Sequence, residues 1–397
     1  GWAWRAVGLN KMYLDAADEF AVVALLKSLR SRDVSDPMNE TLGIFYNPSD
    51  SGYVNERSAA LAELAMSYRR MGRFTASIRA FHAAIEADAE HIASSVLCSC
   101  AQVELELSLF DQAAEKFGKV LEREEGPSHA IAAYGQGVAL HAIAQRDRED
   151  GKCGSALRHI QRAILSCENF SVSFGCTRKL LGDLYSFGAL LPPDLFENVE
   201  QNGESIHAQV DFVRKGEAAY RLVTDVAENI SDPVKAAALC DVGSNILLQA
   251  QIEATGGKES KDANSLLGTA KQEFEAALAL DPLNAPAWCG LGCAVLSSDP
   301  LLSQHAFSRC LQIEQMFPDA YANIGFLYTS KEAYESSRDV MNALTQVADT
   351  PMMWMNRAFM LERDASKCLG MDSKKAESGL SQAADAYRAA MQVMNNP

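Results

Sequence analysis

The chain has 397 residues and a formal net charge of −16, and 48% of its residues are hydrophobic while 22% are charged. These proportions are ordinary for a folded protein in water, and the absence of any apolar run near the roughly 18 residues that cross a bilayer argues against a membrane span. The acidic excess argues against broad binding of a nucleic-acid backbone, because such binding needs clustered Lys and Arg.

A motif of about 34 residues recurs along the chain and predicts paired antiparallel helices of the tetratricopeptide type. The first helix of each copy needs a bulky residue at position 4 and a small one at position 8, where the second helix crosses closely. The second helix needs a small residue at position 20, a large apolar one at 24 and a small one at 27. A proline near position 32 ends each copy, because it cannot continue the helix.

Taken in chain order, residues 1–46 are expected to form the first helix pair and residues 47–56 a loop. Residues 57–397 then form a continuous array, and about nine copies cover most of the chain. The fold prediction is all-α, a tetratricopeptide-repeat solenoid wound into a right-handed superhelix. The residues predicted at packing positions are Trp4, Gly8, Leu64, Ala65, Tyr68, Phe81, Ala84, Gly137, Ala156, Gly182, Gly243, Phe274, Pro282, Trp288, Gly292, Phe307, Tyr321, Gly325, Trp354 and Tyr387.

Three segments interrupt the pattern within the array, at residues 144–154, 189–207 and 254–265. The first separates the two helices of the fourth pair, and the others precede the second helices of the fifth and sixth pairs. For the fifth pair, that second helix is expected around Ala218 and Leu222. Insertions of this kind lie at hairpin tips or lengthen helices, so we expect inert surface segments, with partner docking as the alternative.

The chain shows no pattern typical of an enzyme or a cofactor site. Gly135-x-Gly137 and Gly290-x-Gly292 lack the third glycine of a dinucleotide-binding fingerprint and are predicted within helices. No phosphate-binding loop, serine elbow or H-E-x-x-H motif occurs. Cys289 and Cys293 stand one helical turn apart, but packing explains them better than metal ligation does. We therefore predict no catalytic, cofactor-binding or metal-binding residues.

Two further patterns bear on environment and partners. Arg69, Arg70, Arg73 and Arg79 surround one predicted turn, where a solvated helix end is the expected reading and a docking spot for an acidic partner the alternative. The ten cysteines form no C-x-x-C motif, which suits a reducing compartment.

Because the sequence starts without Met or a leader and already within an expected helix, we expect it to be a piece of a longer chain.

A more specific resemblance rests on the order of the irregular copies. The segments DPLNAPAWCGLG at 281–292, LLSQHAFSRCLQIEQ at 301–315 and DAYANIGFLY at 319–328 resemble tetratricopeptide scaffold subunits of superkiller (Ski) complexes. The fourth and fifth copies resemble that family in order, spacing and place of the inserted segment, and the similarity runs from about 55 to 365. Ser303 and Ser336 depart from it by replacing alanine, and Arg357 stands where an aliphatic residue is usual.

This resemblance implies a cytoplasmic scaffold, with the nucleus as a second location. Proteins of the family hold an RNA helicase and WD-repeat subunits, and the assembly feeds messenger RNA, 3′ end first, to the exosome, including on stalled ribosomes. The ATPase belongs to the helicase partner. For this chain the resemblance therefore implies protein partners, no membrane and no strong direct binding of nucleic acid.

Two other functions stay open at this point. One is a tetratricopeptide scaffold that serves a different multiprotein assembly. The other is the repeat region of a larger enzyme, such as a glycosyltransferase with its catalytic domain elsewhere in the parent chain. Further helical repeats on both sides of the segment would favour a scaffold, whereas an appended catalytic domain would favour an enzyme.

Overall fold

The fold is described from a computed structural model. It describes Val22 and residues 51–89, 91–123, 129–170, 175–196, 200–201, 204–205, 209–225, 231–255, 260–347, 349–368 and 372–395. Nearly all of the predicted first helix pair, with Trp4 and Gly8, lies outside these residues. The chain divides into two compact units, Gly1–Leu180 and Leu181–Pro397.

Unit 1 consists of helix hairpins, with each first helix packed on the second helix that follows it. Its helices are α1 (Ser51–Arg70), α2 (Phe74–Ala87), α3 (Ser94–Glu106), α4 (Phe110–Leu121), α5 (His129–Glu149) and α6 (Cys153–Phe170). The helix α7 (Gly175–Ala189) contains the boundary between the units. Left-handed residues close the hairpin turns, with Gly72 at φ 69°, Ser108 at φ 58° and Gly151 at φ 75°.

Unit 2 continues the same pattern of hairpins. Its helices are α8 (Gln209–Asp225), α9 (Asp232–Thr255), α10 (Ser260–Leu280), α11 (Ala285–Ala294), α12 (Pro300–Ile313), α13 (Pro318–Ser330), α14 (Tyr334–Val347), α15 (Pro351–Cys368) and α16 (Ser373–Asn395). Prolines stand in the first turns of α11, α12 and α13, where a missing N–H costs nothing. The side chains of Asn284 and Asp299 cap α11 and α12 by accepting from Ala287 N and Leu302 N.

The described fold confirms the predicted all-α architecture of tetratricopeptide hairpins, with one small addition. A 3-10 helix (Pro193–Phe196) follows α7, and the two-residue strands β1 (Glu200–Gln201) and β2 (Glu204–Ser205) pair antiparallel. Phe196 is buried and meets the ring of Phe212 edge-on at 5.2 Å. The start of the segment 189–207 therefore packs onto the hairpin of α7 and α8 instead of standing free as a surface loop.

The structure corrects three predicted segment boundaries. Helix α1 begins at Ser51, so residues 51–56 are helical and not part of a loop. Helix α5 continues through 144–149, which leaves only residues 150–152 between α5 and α6. Helix α10 begins at Ser260, so 260–265 are helical as well. Within the polar sequence of 144–149, Asp147 is buried, and its Oδ2 lies 3.1 Å from His159 Nδ1 of α6.

The core of both units lies between first and second helices. Five phenylalanines of the described second helices have no exposed surface, namely Phe81, Phe117, Phe212, Phe274 and Phe307. Burying a side chain of this size contributes about 2–3 kcal/mol each to the stability of a fold. No helix in the described part of the chain combines the length and the apolar composition that a bilayer crossing requires.

Candidate functional site

One candidate binding surface is a cavity of about 480 Å³ in unit 2, which we call the unit 2 groove. First helices of four consecutive hairpins line it. Ser244 comes from α9, Cys293 from α11, Asn323 from α13 and Asn356 from α15. Since side chains at equivalent positions of successive first helices lie side by side, the groove runs across the hairpins.

The polar centre of the groove is built around the amide of Asn323. Its Nδ2 lies 3.3 Å from Cys293 Sγ and 3.7 Å from Cys289 Sγ. Cys310, from the second helix α12, packs in the same core cluster as Cys289. Three thiols and one amide therefore form a connected cluster, which the spacing of Cys289 and Cys293 alone did not reveal.

Hydrogen bonding inside this cluster separates the three thiols by acidity. Bonds donated by Cys293, Cys310 and Asn323 hold the pKa of Cys289 well below the usual thiol range, against the opposing effect of burial. Cys293 and Cys310 have raised pKa values, because each hydrogen-bonds to Cys289 and is itself desolvated. The hydrogen bonds that Cys289 accepts therefore favour loss of its proton over that of the other two thiols.

Next to the cluster the groove carries a carboxylate and an aromatic wall. Burial raises the pKa of Asp319, and the charge of Cys289 adds to that effect. Of the described lining residues, Asp319 is the only Asp, Glu, Lys, Arg or His. Phe326 is 41% exposed and stacks on Phe359 with ring centroids 5.9 Å apart. An exposed aromatic face beside polar amides offers a ligand both apolar contact and hydrogen bonds.

Interlocking glycines and aromatic rings set the spacing of the helices that line the groove. A Cβ atom placed on Gly292 would lie 2.5 Å from the ring of Phe307, and one on Gly243 would lie 2.9 Å from Phe274. Gly182 packs against Tyr220 in the same manner, while Gly325 faces Met341 and Gly137 faces Cys167 and Leu180. Only a glycine lets the helix axes approach this closely without a shift of the neighbouring side chain.

The other predicted packing residues occupy a range of environments. Leu64, Ala65, Phe81, Ala84, Ala156, Phe274 and Phe307 are buried. Tyr68, Trp288, Tyr321 and Trp354 are half-buried, whereas Pro282 and Tyr387 are exposed. Trp288 Nε1 donates to the carbonyl of Pro282 over 2.9 Å, so the proline fixes the tryptophan through its backbone. Tyr387 uses its hydroxyl to hydrogen-bond with Glu362 Oε2 over 2.9 Å.

The residues that depart from the family pattern have structural roles of their own. Ser303 is buried and donates to the carbonyl of Gly292 over 2.8 Å. At Ser336 the predicted repeat register is wrong by one residue. Ser336 is exposed, and the buried serine of helix α14 is Ser337. The guanidinium of Arg357 lies over the ring of Trp354, 5.7 Å from its centroid.

The arginine cluster of the first described hairpin is partly engaged within unit 1. Arg69 donates to Gln102 Oε1 of α3 over 2.7 Å, and Arg70 donates to Ser67 Oγ over 3.2 Å. Both stand in the last turn of α1, next to its carbonyl end. These contacts favour the first interpretation of the arginines, a solvated helix end, and not the second, a docking site for an acidic partner.

Sequence models of known families match two stretches of unit 1. Both are described as tetratricopeptide repeat, one at residues 58–91 and the other at residues 101–146. The matched residues lie in the helix hairpins of unit 1. The two matched stretches are thus tetratricopeptide repeats. Repeats of this fold generally act as non-catalytic surfaces that bind other proteins.

Two curated relatives carry the name superkiller complex protein 3. The mouse protein is 23% identical over 326 residues, which cover 76% of this chain and 20% of the relative. The human protein is 24% identical over 376 residues, which cover 91% of this chain and 22% of the relative. The chain thus spans about a fifth of the length of these relatives.

Solved structures of similar fold are more distant. The assembly chaperone of RpL4 (Acl4), residues 1–338, is 16% identical, covers 72% of this chain and all of its own, and has a TM-score of 0.47. A tetratricopeptide repeat protein from Parabacteroides merdae is 12% identical, covers 85% of this chain and 99% of its own, and has a TM-score of 0.39.

Proposed function

We propose that this chain is a protein-interaction scaffold whose unit 2 groove binds an extended segment of a partner protein. The observation that carries the proposal is the convergence of four first helices on one cavity with amides at its centre and an aromatic wall. Asn323 and Asn356 occupy equivalent places one repeat apart, and each amide both donates and accepts hydrogen bonds. Such pairs suit the alternating N–H and C=O groups of an extended backbone.

The chemistry of the groove favours a neutral or basic segment over an acidic one. Asp319 is a single acidic group, and among the described lining residues no Lys or Arg balances it. The whole chain carries a formal net charge of −16, which adds a long-range preference for basic partners. Phe326 and Phe359 would take an apolar side chain of the segment.

At the level of the assembly, we propose a subunit of a superkiller-type complex, with an RNA helicase and WD-repeat subunits as partners. Support comes from the two relatives named superkiller complex protein 3, whose match extends over most of this chain. In this role the chain supplies geometry, and the helicase supplies ATP hydrolysis on the path of messenger RNA to the exosome. The chain itself is then expected to hydrolyse no ATP and to bind RNA weakly at physiological salt.

Affinity purification of the intact protein tests both levels of the proposal. The variant Phe326→Asp places a charge on the aromatic wall of the groove. Leu301→Asp is the matched control, because Leu301 is 80% exposed on the second helix α12 and does not line the groove. We expect the wild type and Leu301→Asp to recover an RNA helicase and a WD-repeat subunit, and Phe326→Asp to lose at least one of them.

The outcomes separate the two levels. Recovery of partners that include neither a helicase nor a WD-repeat protein removes the superkiller assignment and leaves a scaffold of another assembly. Equal recovery by Phe326→Asp and Leu301→Asp shows that the unit 2 groove is not the docking surface. ATP hydrolysis by the purified chain, or RNA binding that resists salt, contradicts the scaffold role itself.

A further inference from the structure

In unit 1, three side chains of metal-binding type meet between helices α2 and α3. His82 comes from α2, while Cys100 and Glu104 stand one turn apart on α3. Their ligand atoms lie within 4.8 Å of one another. His82 Nε2 is 3.2 Å from Glu104 Oε1, and Cys100 Sγ is 4.0 Å from the same oxygen. No pattern in the sequence predicts this cluster, because the ligands come from two helices and match no spaced motif.

The separations suit a single tetrahedral ion. With metal–nitrogen and metal–oxygen bonds of about 2.0–2.1 Å and a metal–sulfur bond of about 2.3 Å, the ligand atoms of a tetrahedral zinc site lie about 3.3–3.7 Å apart. The separations of 3.2 and 4.0 Å to Glu104 Oε1 differ from these by only a few tenths of an ångström, and the ligand atoms of His82 and Cys100 lie within 4.8 Å of each other. Small rotations of the His82 and Cys100 side chains would close the site around an ion.

A second observation concerns the other oxygen of the same carboxylate. Glu104 has no exposed surface, yet its Oε2 has no hydrogen-bond partner. A buried carboxylate oxygen without a partner is costly, on the order of 1–3 kcal/mol or more. All of the described contacts of this carboxylate, from His82, Cys100 and Lys116, reach Oε1.

We infer that His82, Cys100 and Glu104 bind a divalent transition-metal ion of the zinc type, with a water molecule as the fourth ligand. Cys100 and Glu104 are fully buried, whereas the His82 side chain is 41% exposed. The fourth position therefore opens toward solvent on the histidine side, which also gives the ion its way in. The Cys100 thiolate and the Glu104 carboxylate each bring one negative charge to the divalent ion.

Lys116 is the competing partner of Glu104. Its ammonium group forms an ion pair with Oε1, and its side chain is 17% exposed. This pair alone neutralises Glu104, but it leaves Oε2 unsatisfied. In the metal-bound protein, Lys116 is expected to keep its bond to the carboxylate as an outer-shell contact that orients the ligand. Because burial raises the pKa of the Cys100 thiol to about 12, binding of the ion must release that proton.

Titration of the intact, chelator-treated protein with Co²⁺ tests the site, and it does so independently of the proposed function. We expect one equivalent of Co²⁺ to give a thiolate-to-cobalt charge-transfer band in the near ultraviolet and the visible bands of a tetrahedral ion. Zn²⁺ should then bleach both. Cys100→Ala should abolish the charge-transfer band, whereas Cys98→Ala should keep it, because Cys98 is buried on the same helix but is not part of the cluster.

A second variant guards against an effect on folding. His82→Ala changes a partly exposed side chain, so the chelated protein should keep the helical circular-dichroism spectrum of the wild type. Its affinity for Zn²⁺ should fall at least about tenfold in competition with a chromophoric chelator, since even losses of outer-shell contacts have effects of about that size. A wild type without the thiolate band, or a band that persists in Cys100→Ala, overturns the inference.

Discussion

The ring of Phe274 lies directly against the backbone of Gly290, which belongs to the next hairpin along the chain. The same ring also faces Gly243 of its own hairpin, so one aromatic side chain fills the space between three helices. Unit 1 repeats the relationship between Phe117 and Gly135. The second helix of a hairpin therefore sets the spacing of the following hairpin as well as its own.

The first prediction tests this interlock with the smallest change available. In Gly290→Ala the new Cβ would overlap the ring of Phe274, so we expect a loss of about 1–3 kcal/mol in unfolding free energy. That loss should appear although alanine favours a helix by about 1 kcal/mol over glycine. Urea unfolding followed by circular dichroism measures it.

The matched control is Gly268→Ala in helix α10. A Cβ at Gly268 meets no atom within 4 Å, so here only the helix propensity acts and we expect a gain of about 0.5–1 kcal/mol. Opposite signs for the two variants support the interlock. If the two substitutions change the unfolding free energy equally, the ring of Phe274 does not lie against Gly290 as described.

The second prediction concerns serines that tie second helices to first helices. Ser337 Oγ donates to the carbonyl of Gly325 over 2.9 Å, as Ser77 does to Ala65 and Ser303 to Gly292. Ser337→Ala removes this donor, while Thr329 Oγ1 still donates to the same carbonyl, so we expect a loss of about 0.5–1.5 kcal/mol. Hydrogen exchange of the α13 and α14 amides locates the effect.

The neighbouring Ser336 is the control that tests which serine of helix α14 faces the core. It is exposed, so Ser336→Ala should change the unfolding free energy by less than about 0.5 kcal/mol. A larger effect at Ser336 than at Ser337 would show that helix α14 is rotated from the orientation described.

The third prediction uses the left-handed turns of unit 1. Ser108 has φ 58° between α3 and α4, a conformation that costs a residue with a Cβ about 1 kcal/mol. Ser108→Gly should therefore slow hydrogen exchange in α3 and α4 by an amount that corresponds to about 0.5–1 kcal/mol. Gly72→Ala, at φ 69° with open space around it, should have the reverse effect in α1 and α2. Effects of the same sign at both positions would contradict the turn geometry.

Crossing positions made the fold predictable from the sequence. Small residues such as Gly292 and large ones such as Phe307 recur at fixed spacing because first and second helices touch there in the described copies. The role of Gly290 escaped prediction, since it depends on Phe274 of the preceding copy and not on its own hairpin. The repeat pattern describes contacts within one helix pair, so it does not predict a contact between a glycine and a ring of the preceding pair.

The unit 2 groove was predictable only in outline. A repeat array implies a surface of first helices, but the thiol cluster needs Cys310 from a second helix and Asn323 from the next hairpin. The extension of α5 was also hidden, because Asp147 looks like a loop residue until His159 is placed beside it. Tertiary neighbours decide each of these features, and local sequence does not encode them.

The last prediction follows from the thiolate in the groove. An ordinary thiol has a pKa near 8.5 and loses reactivity about tenfold for each pH unit below that value. The pKa of Cys289 is lowered, so its thiolate persists and its alkylation rate should stay near its plateau as the pH falls from 8 to 6. Iodoacetamide labelling followed by peptide mass spectrometry should therefore find Cys289 modified before Cys98, whose pKa burial raises to about 11.

The amide of Asn323 provides the means to test the cause. Asn323→Ala removes one of the hydrogen bonds to Cys289, so the pKa of the thiol should rise and its alkylation at pH 6 should slow, while the rate at pH 9 changes little. The urea-unfolded protein is the reference in which all ten cysteines should share one pH profile. If Cys289 follows that common profile in the folded protein, the hydrogen bonds do not stabilise its thiolate, and the polar centre of the groove lacks the charge assigned to it.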